Sequence, residues 1–345
     1  MACGGDKNYN FEPMKTNNLS FQLFKDKVSD TNYCTSPLLT EIQMLMLYKL
    51  SKGETKKEIK NLMLPETRIN VKKRIEELMK KSIKNAIYIN KQYTVLEECK
   101  RFLKDKAEIS DSFLSITMRD SDEETLVVVN ITDDQLSLLS CINFTWNYPF
   151  PFEIKNETFY TDSDKKLITP FIYSDEMTHL YLKTENVKVL GLVDKNGLVM
   201  YIFLPIRLKD FIKSLDTKTI YSKYIDKCDL KCLNVMIPKF KVRNNLFIDD
   251  VICEKDCFTG ITEDLEINLD IITQDIKFKI ESLESGERRG AFGIQCETFQ
   301  GSNLQSGTLC EEFDIFKANR PFMYILCDKV NCIMLFIGCV YEPKE

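Results

Sequence analysis

A chain of 345 residues, 29% charged and 44% apolar, with a net charge of −5, has the makeup of a folded globular protein. Its interspersed charges offer no basic face for nucleic acid. No apolar run approaches the roughly 18 residues needed to cross a bilayer, so no membrane role is expected.

In chain order, Met1-Ala-Cys-Gly-Gly-Asp-Lys-Asn-Tyr9 lacks the apolar segment of a secretory leader. A cytoplasmic protein is therefore expected, its 13 cysteines reduced and serving mostly as small apolar residues. Sequons at Asn18, Asn130, Asn143 and Asn156 lean the other way and leave unconventional secretion open. Residues Asn18 to Val28 read as a helix. Ser36-Pro37 is a helix-start signal, and Leu38 to Leu50 is apolar nearly all round, hence a buried helix. After a turn at Ser51 to Thr55, Lys56 to Leu64 forms a shorter helix stopped by Pro65. The lysines of Lys72 to Lys84 read as a solvated helix face.

Asn85 to Ile89 alternates as a strand and Val95 to Lys106 as a helix. Leu126 to Val129 reads as strand or irregular, and Gln135 to Trp146 as a buried run ending in Phe144, Trp146, Tyr148, Phe150 and Phe152. Strands follow at Val187 to Val193, Val199 to Leu204 and Leu233 to Val242, with a helix at Leu208 to Leu215. Ile271 to Glu281 alternates as a strand. About thirty polar, glycine-dotted residues come next, a length that in a compact domain marks a functional or disordered loop. The apolar segments Pro321 to Leu326 and Ile333 to Gly338 close the chain. With no repeat, linker or composition break, one α+β domain over 1–345 is expected.

Catalytic chemistry is scarce. His179 is the single histidine, it sits in a strand-like segment, and no nucleophile-elbow pattern accompanies it. Enzyme activity is therefore not expected. Cys228-x3-Cys232, Cys253-x3-Cys257 and the trio Cys327, Cys332 and Cys339 invite a zinc reading, but their spacing does not fit a knuckle. No metal and no cofactor is expected, and no glycine-rich phosphate loop is present.

Several motifs, in order, resemble the serpins. Thr35-Ser36-Pro37-Leu38 with Lys52-Gly53-Glu54-Thr55 resembles that family's second helix and its turn. Asn85-Ala-Ile-Tyr-Ile89, Phe144-Thr-Trp146-Asn-Tyr-Pro149-Phe150, Met200-Tyr-Ile-Phe-Leu204-Pro205 and Ile237-Pro238-Lys239-Phe240 resemble its core strands. Phe316-Lys-Ala-Asn-Arg-Pro321-Phe322 with Leu335-Phe336-Ile-Gly338-Cys-Val-Tyr-Glu-Pro343 is similar to the family signature and closing strands. The short chain, absent leader and cysteine usage resemble the intracellular and compact viral members.

The resemblance implies a three-sheet fold with about seven or eight helices and an exposed reactive-centre loop at about residues 285–312. In inhibitory members a protease cleaves this loop and is trapped as an acyl-enzyme while the loop inserts as a new central strand. Glu284-Ser285-Gly286 matches the hinge of that loop. Small residues should follow, yet the chain reads Glu287-Arg288-Arg289-Gly290-Ala291-Phe292-Gly293. By the family register Glu287, Arg289 and Ala291 would face the buried side of the inserted strand. Burying an unpaired carboxylate or guanidinium costs on the order of several kcal/mol. The resemblance places the scissile bond at Gln300–Gly301 when counted from Gly286, and nearer Ser306 to Cys310 when counted back from Pro321; the hinge-based count is preferred.

Two more departures bear on sheet opening. Family positions that hold a hydrogen-bonded Ser, Asn and His are here Leu39, Ser140 and Ile276. The family's helix across the main sheet is expected to be truncated or lost, with Ser121 to Leu139 its remnant. The resemblance thus implies a monomeric inhibitor of a host or endogenous serine or cysteine protease, with a trap compromised at Glu287 and Arg289. The alternative is a non-inhibitory serpin acting as a protein-binding or host-interaction factor, and a cysteine metal module is a third, unrelated reading.

Overall fold

A computed structural model of the chain describes residues 15–62, 80, 82–119, 123–131, 134–163, 165–194, 196–248, 258–262, 267–282, 314–328 and 333–344. Helix α1 (Lys15–Lys27) and strand β1 (Tyr33–Thr35) precede α2 (Pro37–Leu50) and α3 (Gly53–Leu62). Ser36 caps α2: its Oγ accepts from Leu39 N at 3.2 Å and donates to Leu335 O at 2.8 Å. Pro37 takes the first turn, where no N–H is needed. Gly53, with φ of 62°, opens α3 within the stretch expected as a turn, because glycine adopts left-handed backbone without a Cβ penalty.

The remaining elements are β2 (Ile83–Ile89), α4 (Glu97–Leu103), β3 (Glu108–Ser110), β4 (Leu114–Arg119), β5 (Glu124–Val129), β6 (Leu136–Tyr148), β7 (Glu153–Tyr160), β8 (Lys166–Lys183), β9 (Val187–Val193) and β10 (Leu198–Pro205). Next come α5 (Leu208–Ser214), α6 (Thr217–Thr219), β11 (Asp229–Pro238), β12 (Phe240–Phe247), β13 (Leu269–Ser282), β14 (Ile315–Lys317), β15 (Phe322–Asp328) and β16 (Ile333–Val340). They form three sheets, as expected. A nine-stranded sheet runs β1-β16-β15-β10-β9-β8-β11-β14 with β7 on β8, a five-stranded sheet runs β12-β13-β6-β2-β3, and β4 pairs with β5 in a separate ribbon. The span Leu233 to Val242, expected as one strand, is two strands in different sheets. Pro238 has no N–H to continue the ladder, and the chain crosses at Lys239, whose N–H bonds Pro170 O.

The two large sheets meet through aromatic rings. Phe278 of β13 stacks on Tyr324 of β15 at 4.9 Å and packs against Phe336 of β16 at 5.1 Å. Phe240 of β12 and Phe144 of β6 complete the group, at 5.2 Å from Tyr324 and 5.4 Å from Phe336. Burying each ring is favourable by on the order of 4 kcal/mol. Gly338 makes this packing possible, because a Cβ there would lie 2.5 Å from the Tyr324 ring.

Cys34, Cys99, Cys141 and Cys339 are buried free thiols, in line with the apolar role expected of them. Cys232 departs from the expected reduced pattern, being disulfide-bonded. Cys228 Sγ instead contacts Tyr224 O, so Cys228 and Cys232 do not form a knuckle. His179 on β8 is 2% exposed and sits edge-on to Phe150 at 4.6 Å. Both of its ring nitrogens lack a hydrogen-bond partner, and burial pushes its pKa down to about 4.

An unfolded chain takes up that proton near pH 6.5 and the folded chain only near 4. Stability linked to His179 is thus fully present above pH 6.5 and is lost as pH falls to 4, by about 3 kcal/mol in all. Urea unfolding of the wild type and His179→Phe at pH 7 and pH 4.5 should show the variant losing less stability on acidification. An identical pH profile for both would refute this.

Candidate functional site

The candidate site is the seam between β6 and β13. These strands pair in parallel from Leu136–Leu269 to Tyr148–Ser282, while β12–β13 and β6–β2 on either side are antiparallel. Parallel ladders hold slightly less tightly per residue than antiparallel ones, so the seam is the weaker line through the sheet centre. The chain leaves the seam at Ser282 and returns as β14 on the edge of the other sheet.

The closed end is fastened by side chains. A register shift at Leu269/Ile271 leaves Asp270 outside the ladder, and its carboxylate accepts from Gln135 N at 2.6 Å and Leu136 N at 3.0 Å. Gln135 Oε1 in turn accepts from Asn268 N at 2.9 Å. Midway, Leu39 and Ile276 share the apolar core with Ile142, and Ser140 Oγ is hydrogen-bonded to Asn85 Oδ1 at 2.7 Å. The polar link between helix and sheet lies elsewhere. Gln274 Nε2 of β13 donates to Gln43 Oε1 at 2.8 Å and to Thr40 Oγ1 at 3.0 Å, and Gln43 Nε2 donates to Thr273 O at 3.0 Å. Thr40, Gln43 and Gln274 are almost wholly buried. A glutamine on the core-facing side of each element was the available sequence signal.

On the opposite face, the odd-numbered residues of β13 carry charge under cover. Arg243 of β12 pairs with Asp275 at 3.3 Å, and Lys279 with Glu281 at 2.7 Å. Burial pushes the Asp275 carboxyl up, with Arg243 and Lys277 opposing. The cover is the β4–β5 ribbon. Leu114, Ile116, Met118, Val127 and Val129 pack on Ala86 and Tyr88 of β2, Leu139 and Cys141 of β6, and Ile271 of β13. Lys84 Nζ of β2 donates to Thr117 O of β4 at 2.7 Å. Ser121 to Leu139 is the stretch expected to be the remnant of a truncated or lost helix. Those described residues are β5 and the start of β6, and the cover begins at Leu114. The β-branched run Val127 to Val129 favours the strand.

The far anchor of the loop is equally specific. β14 lies parallel to β11, with Asn234 N donating to Asp314 O at 3.0 Å and Ala318 N to Met236 O at 2.9 Å. Lys231–Asp314 at 2.5 Å and Lys317–Glu157 at 2.8 Å add ion pairs, and both acids are held below the usual carboxylate range by their lysines. The hinge residues Glu284, Gly286, Glu287, Arg289 and Ala291, and the bond Gln300–Gly301, lie outside the described residues. Among the described residues no group of three or more His, Cys, Asp or Glu is placed to hold a metal, and no helix is long and apolar enough to cross a membrane.

The family model described as Serpin (serine protease inhibitor) matches residues 14–143 and 123–343. Serine proteinase inhibitor 2 of Myxoma virus (strain Uriarra) is 21% identical over 351 residues, covering 94% of this chain and 99% of that protein. Serpin-ZX of Arabidopsis thaliana is 27% identical over 221 residues, 58% of this chain and 55% of that one. The structure of human thyroxine-binding globulin superposes with a TM-score of 0.73 at 17% identity, covering 96% of this chain and 98% of that one; at this identity the likeness shows the fold alone.

Gln43→Ala removes a buried partner from Gln274 and should cost about 1–3 kcal/mol in urea unfolding. Replacing both glutamines by leucine removes donor and acceptor together and should cost less than the single change, since apolar substitution of a whole buried pair is close to neutral. Simple additivity of the two single losses would contradict the coupling.

Proposed function

The chain belongs to the serpin family, and on that footing we propose that it is one domain over 1–345 that offers residues 285–312 as bait to a serine or cysteine endopeptidase. The observation that carries this reading is the parallel β6–β13 seam next to the point where the loop departs. A segment that turns back after Ser282 would run antiparallel to β13, and therefore to β6 as well. Inserting it exchanges one parallel contact for two antiparallel ones, a gain in ladder bonds that a cut loop is free to take. Myxoma virus serine proteinase inhibitor 2, alike along nearly the whole chain, supports the inhibitor class.

The hinge sets how well the trap works. Glu287 and Arg289 would be drawn toward the sheet's buried side, and a mutual pair would offset only part of a cost of several kcal/mol. Insertion competes with deacylation, so slow insertion diverts trapped protease into released protease and cleaved chain. These same charges favour a second reading, in which the protein is a non-inhibitory serpin whose surface binds a partner protein.

Incubation with chymotrypsin-, trypsin- and cathepsin-like proteases should cut between Ala291 and Leu309 and give an SDS-resistant covalent complex as a minor product. Glu287→Thr with Arg289→Ala should raise the complex at least tenfold. Clean cleavage by every protease, with no complex and no rise in Tm for either protein, would overturn the inhibitor reading in favour of the second.

A further inference from the structure

The β4–β5 ribbon stands on both sides of the seam. Its apolar body and the Lys84–Thr117 bond sit largely over β2 and β6. Glu123, one residue before β5, reaches the other side, pairing with Lys277 of β13 at 3.0 Å and Lys241 of β12 at 3.2 Å. Separating β6 from β13 must therefore break these ion pairs or peel the ribbon from its apolar bed. We propose that the ribbon is a latch across the β6–β13 seam, with Glu123 as its catch and Lys277 as its keeper; the proposal rests on the reading that a strand is admitted at this seam.

Three observations support the assignment. Lys277 is only 4% exposed along its side chain, so its charge needs a partner, and Glu123 on the ribbon supplies one. Of the other charges near it, Arg243 pairs with Asp275 and Lys279 with Glu281, contacts made within β12 and β13. Hydrogen bonds from Lys277 and Lys241 hold the Glu123 carboxyl at about 2, so it is charged throughout the physiological range.

The position of the catch also matters. Ser282, where the loop departs, lies five residues beyond Lys277 on β13, about 17 Å at the usual rise per residue. A strand admitted from that end can take these first rungs with the latch closed. Only further insertion, past Asn143–Lys277, requires release.

Glu123 is 43% exposed, so Glu123→Gln should fold normally and give up only the charge. Native-state hydrogen exchange of the full chain, without protease, should show the seam amides of 136–143 and 271–277 exchanging at least fivefold faster in the variant. Amides of 278–282 and of the β15–β16 pair should change by less than twofold. Lys277→Met, which keeps the apolar stem, should reproduce the pattern. Unchanged seam exchange, or equal acceleration at β15–β16, would overturn the latch. Absence of a covalent complex in the protease experiment would instead refute the reading of the loop and leave this result untouched.

Discussion

β6 and β13 run parallel in the middle of a sheet whose adjoining pairs are antiparallel, and that choice of direction constrains everything built around them. A parallel pair needs a long connection, so the two strands are far apart in the chain and most of the nine-stranded sheet is made between them. Once paired, they put Phe144 and Phe278 against the same ring, Phe336 of β16, while Phe278 also stacks on Tyr324 of β15. The seam is therefore supported from beneath by aromatic packing between the sheets. Weak lateral bonding above a rigid floor is the arrangement in which strands can part without the layer beneath unpacking.

Polar groups are spent around this seam rather than through it. Asp270 and Gln135 fasten the closed end, Gln43 and Gln274 tie the buried helix to β13, and Glu123 crosses the outer face. At the middle of the seam the side chains are Leu39, Ile142 and Ile276, with Ser140 turned to Asn85. Apolar contact there costs little to slide, whereas a directional bond must be broken outright.

The ribbon shows how a different element can meet an old requirement. A sheet face with apolar residues such as Ala86, Leu139 and Cys141 must be covered, and two short strands with inward Leu114, Ile116, Met118, Val127 and Val129 cover it. Their β-branched content was visible in Leu126 to Val129, which reads as strand or irregular. What they pack upon was not visible, because strand propensity does not say which neighbour each face meets. The same limit split Leu233 to Val242 between two sheets and hid β8, whose 18 residues run past Pro170 and a bulge opposite Leu233 and Val235.

The boundaries of α2, β9, β10, β13, β15 and β16 lie within a few residues of where periodicity, Ser36 and the prolines put them, because those signals act through bonds between near neighbours in the chain. The ordered motifs were likewise enough to indicate the family. Only the folded chain could bring Glu123 to Lys277 across 154 positions, Gln43 to Gln274 across 231, and Lys231 to Asp314 across 83. A lysine or glutamine in a strand carries no mark of its distant partner. Burial makes each of them need one, and tertiary packing decides which it gets.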